Sequence, residues 1–256
     1  GLSFAIGNLG ARAQQKEISM LVWDHFIPPF KPELEKQVNQ WAEDKGVKAR
    51  VDYVSYANLS SRLSSEVEAR SGHDIVMLFN YGPGLYKENL VQIDDVAQQL
   101  SDQYGEWNEG AEYLNHVDGH WQSIPWNFQS LLGNMRIDYW DAIGMSTDDV
   151  AVLNWDQFLE KAEEIDESGH PVALTIGGNN LDSYGFLFPL LWSHGAQYVD
   201  GEGNVKINSE ETRAAINYAM EPFEYMPREM LGWNNSGINQ FMFSGRGSYT
   251  QNPPSI

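Results

Sequence analysis

Ile75-Val76-Met77-Leu78-Phe79 is an unbroken apolar run, and its reading decides the fold. Five consecutive apolar residues show no alternation, so they predict a parallel strand covered on both faces. Working back, Ser71-Gly72 is a turn, and Leu59, Leu63 and Val67 repeat at helical spacing. Before that helix, Val47, Ala49, Val51 and Tyr53 alternate with Lys48, Arg50 and Asp52, the period of a strand. Leu34, Val38 and Trp41 form a second helical stripe that stops at Gly46, and Glu17 to Trp23 suits a buried strand. The order β-α-β-α-β predicts an open α/β sheet. Ligands of such sheets bind beyond the C-terminal strand ends. Those ends fall at Trp23-Asp24-His25, Tyr53 to Tyr56, and Asn80-Tyr81-Gly82.

Further on, His116-Val117 and His120 to Ile124 flank Asp118-Gly119, which predicts a hairpin with an Asp-Gly turn. The first crossing between two lobes is placed at the following Pro125-Trp126-Asn127. A second α/β region then begins. Asn154 can cap a helix with Gln157 three residues on, and Gly169 ends it. Asp200 to Asn204 is a turn, and Ser209 caps another helix whose first turn carries Glu210 and Glu211. The expected organisation is a signal-peptide remnant over 1–13, one α/β lobe over 14–124 and a second over 125–256. The remnant rests on Ala11-Arg12-Ala13, an A-x-A triplet after an apolar run, with cleavage leaving Gln14 first.

Composition narrows the function. Lysine and arginine total 16 against 36 acidic residues, a net charge of −20, which argues against binding a phosphate backbone. No stretch is long and apolar enough to span a bilayer. The absence of cysteine removes disulfides, thiolate metal sites, cysteine nucleophiles and a lipid-anchor cysteine. His116 and His120 are four apart, but the Asp-Gly turn between them favours a hairpin over a metal-binding helix, so no metal is expected. Glycine-rich segments match no phosphate-loop template, no G-x-S-x-G occurs, and no cofactor is expected. The 9 Trp, 12 Tyr and 11 Phe are enough to build flat binding walls as well as a core.

Four segments in order carry a family likeness. Asp118-Gly119-His120-Trp121-Gln122-Ser123-Ile124-Pro125 resembles the hairpin that enters the second lobe in family 1 extracellular solute-binding proteins. Asn154-Trp155-Asp156-Gln157-Phe158 resembles a helix start of that family. Leu191 to Ala196, Asp200 to Gly203 and Val205 to Ser209 together resemble its most recognisable stretch, and Phe243 to Tyr249 resembles a later one. Gly133-Asn134 departs from the Tyr-Asn common in the family. The resemblance implies an α/β, two-lobed periplasmic binding protein-like fold of type II. It also implies that the family chain continues past this point, so that the C-terminal part of that fold is missing here. It implies a binder rather than an enzyme, one that closes like a hinge on a sugar or oligosaccharide. The expected partners are the membrane subunits of an ABC importer, and the expected location is the periplasm.

Sugars present C–H faces and paired hydroxyls, which aromatic rings and polar side chains satisfy. The candidate ligand-binding residues are Trp23, Asp24, Asn80 and Tyr81 at strand ends and Trp126 and Asn127 at the crossing. Trp192, for which helix core is an equal reading, and Trp233 and Asn234 in a polar stretch complete the set. A glycan-active enzyme is the competing function, since carboxylates and aromatic clefts also make glycosidases. A polyamine or polyol is the competing ligand.

Overall fold

The computed structural model describes residues 16–127, 132–176, 182–233, 236–253 and 255–256. The expected signal remnant over 1–13 lies outside the described residues. The chain divides into two compact units, Gly1–Phe128 and Gln129–Ile256.

The first unit is built on three parallel strands, β1 (Glu17–Trp23), β2 (Lys48–Val54) and β3 (Ile75–Val76), in the order β2-β1-β3. Helix α1 (Phe30–Lys45) links β1 to β2, and α2 (Tyr56–Ala69) links β2 to β3. Pro32 is tolerated because the first helical turn needs no intrahelical N–H partner. Gly46, at φ 64°, ends α1 and returns its N–H to the Ala42 and Glu43 carbonyls. Side chains alternate across β1. Leu21 packs with Leu59 and Leu63 of α2, with Trp23, Val54, Val76, Leu78 and Phe79 against them. On the opposite face Ile18 and Met20 join Leu34, Val38 and Trp41 of α1 around an apolar groove of about 450 Å³.

One strand differs from the sequence reading. The run from Ile75 to Phe79 pairs over two residues rather than five, and Ile75 is 49% exposed rather than covered on both faces. Pairing continues only to the Met77 N–H, which donates to the Leu21 carbonyl. Among the described residues β3 bonds to β1 alone, at one edge of this three-stranded sheet. Leu78 and Phe79 are apolar because they close the cluster around Leu21.

The turn before β3 is fastened by charge. His73, with its side chain 3% exposed, sets Nδ1 2.8 Å from a Glu66 oxygen and Nε2 2.9 Å from an Asp52 oxygen. Arg62 reaches Glu66 at 2.7 Å, and Arg50 binds Asp52.

Three short helices follow, α3 (Gly82–Leu85), α4 (Asp94–Tyr104) and α5 (Glu109–Asn115), and then strands β4 (His116–Val117) and β5 (His120–Trp121). The expected hairpin forms. Asp118 at φ 53° and Gly119 at φ 83° supply the two positive φ angles of a tight hairpin turn. Asp94, first in α4, accepts the Trp121 N–H at 2.7 Å and faces His120 Nδ1 at 2.9 Å. The Trp121 N–H, then His120, hold the Asp94 carboxyl below its ordinary value. A depressed carboxylate stabilises the fold above its unfolded value of about 3.9, and that contribution is lost as pH falls through the lower folded value. Urea midpoints should therefore fall with acid in this range, and Asp94→Asn should flatten that dependence. An unchanged slope would remove Asp94 from the account.

The second unit contains β6 (Leu132–Met135), α6 (Ile137–Ala142), α7 (Thr147–Ala151), α8 (Trp155–Glu167) and β7 (Val172–Ala173). It continues with α9 (Asp182–Ser193), α10 (Glu210–Met220), α11 (Gly237–Phe243) and β8 (Tyr249–Asn252). Its sheet runs β6-β8-β7, with β8 antiparallel to β6 and parallel to β7. The predicted caps are present. Asn154 accepts the Gln157 N–H while the Gln157 side chain accepts the Asn154 N–H, a capping box. Ser209 accepts the Thr212 N–H. The core gathers Trp140, Phe158, Ile165, Leu174, Phe186 and Leu190, all buried. Among the described residues no helix is long and apolar enough to cross a membrane.

Candidate ligand site

The parallel order of β1 and β2 brings their C-terminal ends side by side, Trp23 opposite Val54. An aromatic cluster is assembled there. Trp23 lies 4.4 Å from the His25 ring and 5.6 Å from both Tyr56 and Phe79, and Tyr56 and Phe79 are 4.5 Å apart. His25 reaches Phe30 at 5.3 Å, and Phe30 reaches Trp126 at 6.3 Å. A chain of rings thus runs from the strand ends to Trp126. The Trp23 indole N–H is buried without a hydrogen-bond partner among the described residues.

Polar groups border these rings. Asp24 is exposed and pairs with Lys31 at 2.9 Å, and Lys31 sits 4.6 Å from the Tyr53 ring centre. Burial, then the charge of Glu35, raises the Tyr53 hydroxyl above its ordinary range. Burial lowers His25 below the usual histidine value. Asn80, Tyr81 and Asn127 are exposed, and Tyr81 precedes α3. The arrangement offers ring faces for C–H surfaces and exposed polar groups for hydroxyls.

The second unit carries a separate aromatic surface. Tyr184, Phe188 and Trp192 follow one another at helical spacing on α9. Phe188 stacks on Tyr184 at 5.1 Å and on Trp192 at 5.6 Å, and Tyr198 meets Phe188 edge-on at 5.0 Å. Trp192 is 62% exposed, so it lies outside the core that its apolar neighbours Leu190 and Leu191 enter. Trp233 is half-buried and packs against two core clusters, 5.1 Å from Phe241. Its polar sequence neighbours gave no sign of that packing. Asn234 lies outside the described residues.

Of the expected residues, Trp23, Asp24 and Trp126 are joined directly to the cluster or its border. Phe26, whose ring meets Trp23 edge-on at 5.2 Å, and Phe30, Phe79, Tyr184, Phe188 and Tyr198 were not singled out in the sequence. The four-residue spacing of Tyr184, Phe188 and Trp192 was the available signal for the α9 surface.

Comparison with known proteins places these features in a family. Residues 27–256 match the model of the family described as bacterial extracellular solute-binding protein. Among solved structures, a maltose-bound protein of T. maritima matches with TM-score 0.78 at 20% identity, covering 93% of this chain and 61% of its own. A solute-binding protein of Thermotoga lettingae bound to α-D-tagatose matches with TM-score 0.81 at 12% identity, covering 94% and 62%. One from Agrobacterium radiobacter K84, in complex with ribitol, matches with TM-score 0.78 at 16% identity, covering 93% and 60%. The chain therefore spans about three fifths of the length of these proteins. No match is found among curated proteins. The fold shared with these structures is that of the type II periplasmic binding proteins, and the chain belongs to the bacterial extracellular solute-binding protein family.

Proposed function

We propose that the protein captures a sugar or oligosaccharide by hinge closure and delivers it to an ABC importer, without catalysing a reaction. It does so in the periplasm, after a leader is removed. The observation that carries the ligand class is the ring cluster of Trp23, Tyr56 and Phe79 at the ends of parallel strands, bordered by Asp24 and Asn80. Strand ends are where open α/β sheets take ligands, and aromatic rings suit pyranose C–H surfaces. The maltose, tagatose and ribitol complexes of proteins with this fold support a hydroxyl-rich ligand.

The test is calorimetric titration with maltose, laminaribiose, tagatose, ribitol, mannitol and spermidine. At least one sugar is expected to bind, and a ligand at a hundred times its Kd should stabilise by about 2.7 kcal/mol. Trp126→Ala and Trp192→Ala should weaken that binding while leaving urea midpoints close to wild type, since both rings are largely exposed. Lost stability with unchanged affinity in both would count against the assignment. Conversion of a glycan into products would establish the enzyme instead.

A further inference from the structure

We propose that His25 is a hydrogen-bond donor of the ligand site, locked in the tautomer that carries its proton on Nε2, and that this lock selects neutral hydroxylated ligands over ammonium ions. The proposal rests on the preceding reading of the strand ends as the ligand site. The lock comes from the backbone. The Ile27 N–H donates to His25 Nδ1 at 3.1 Å. An N–H can be received only by a nitrogen with a free lone pair, so Nδ1 carries no proton. A neutral imidazole has one ring proton, which then sits on Nε2.

The surroundings keep the ring in that state. It packs 4.4 Å from Trp23 and 5.3 Å from Phe30, two ring systems that offer no proton acceptor to compete for Nδ1. The adjacent carboxylate, Asp24, is engaged by Lys31 at 2.9 Å. Burial holds the imidazole below the usual histidine value, which favours the neutral form near pH 7. Among the described residues Nε2 has no hydrogen-bond partner. The His25 side chain is partly exposed beside the ring cluster.

The consequence is directional. Nε2–H can donate to a hydroxyl or ring oxygen, but it has no lone pair to offer an ammonium group. A polyamine therefore meets a donor where it needs an acceptor. A sugar or polyol oxygen fits.

Two measurements decide the proposal. Two-bond ¹H–¹⁵N correlation spectra of the ligand-free protein at pH 7.5 should show His25 with a protonated Nε2 and a bare Nδ1. A protonated Nδ1, or both nitrogens protonated, overturns it. Titration of maltose, laminaribiose, mannitol and spermidine into wild type, His25→Phe and His25→Gln reads the second half. His25→Phe should weaken whichever sugar or polyol binds by about tenfold, the worth of one such bond. His25→Gln, whose amide nitrogen takes the place of Nε2, should recover most of that loss. Equal affinity of His25→Phe and wild type, or tight spermidine binding, overturns the donor role while leaving ligand capture intact. Failure of every compound to bind overturns the site reading and the donor role with it, and the spectra still decide the tautomer. Should His25→Phe fail to fold, the spectra and His25→Gln carry the test.

Discussion

Trp140→Ala is expected to remove about 3–5 kcal/mol from the stability of the second unit. Trp140 is fully buried at the centre of that unit's core, and its indole N–H donates to the Ser248 carbonyl at 3.1 Å. Truncation opens a cavity in a close-packed interior and removes one of the two donors to the Ser248 carbonyl, the other being the Arg136 N–H at 2.8 Å. Trp140→Phe keeps much of the volume and loses the bond, so it should cost distinctly less. Urea unfolding of the three proteins gives the comparison. A loss under about 1 kcal/mol for Trp140→Ala would show that the unit does not depend on this core.

The second large effect is expected at His73. His73→Ala should cost about 2–3 kcal/mol at pH 7, because it leaves a carboxylate that is 11% exposed without its ring partner. The bond to Asp52 adds less, since Asp52 is 39% exposed and screened by water. Burial pushes Glu66 up, but the His73 backbone N–H, the His73 ring and Arg62 outweigh it and leave Glu66 below its ordinary value. A depressed carboxylate gives stability above its unfolded value that is lost as pH falls through the folded one. Without the ring, Glu66 lies nearer its unfolded value, so the stability lost on acidification should be smaller in His73→Ala than in wild type. Urea midpoints of wild type and His73→Ala across pH 3–8 test both points. Equal midpoints at pH 7 would refute the role given to the ring.

What the sequence made legible was mostly local. Gly46, Asn154 and Ser209 act within one turn of their own positions, and each ends or starts its helix as its residue type requires. Asp118-Gly119 is legible for the same reason. The run from Ile75 to Phe79 misled because an apolar side chain is explained equally by a strand covered on both faces or by packing around Leu21 beyond a short strand. Only the tertiary packing separates the two, and that packing is non-local. Trp23 and Asp24 could be placed because strand ends are predictable once strands are. The link from Trp23 through His25 and Phe30 to Trp126 could not, because it joins residues about a hundred positions apart.

The short edge strand also bears on how copies of this 256-residue chain behave in concentrated solution. Ile75 lies half-exposed on a strand whose outer side has no strand partner among the described residues, an arrangement that templates lateral pairing between molecules. Two residues give such pairing a small footprint, and a net charge of −20 keeps molecules apart. The second safeguard depends on ionic strength. The Debye length shrinks from about 10 Å at 0.1 M to about 3 Å at 1 M salt, so added salt removes the repulsion and leaves the edge. Self-association through this edge should therefore grow with ionic strength, the opposite of what contacts between opposite charges would give.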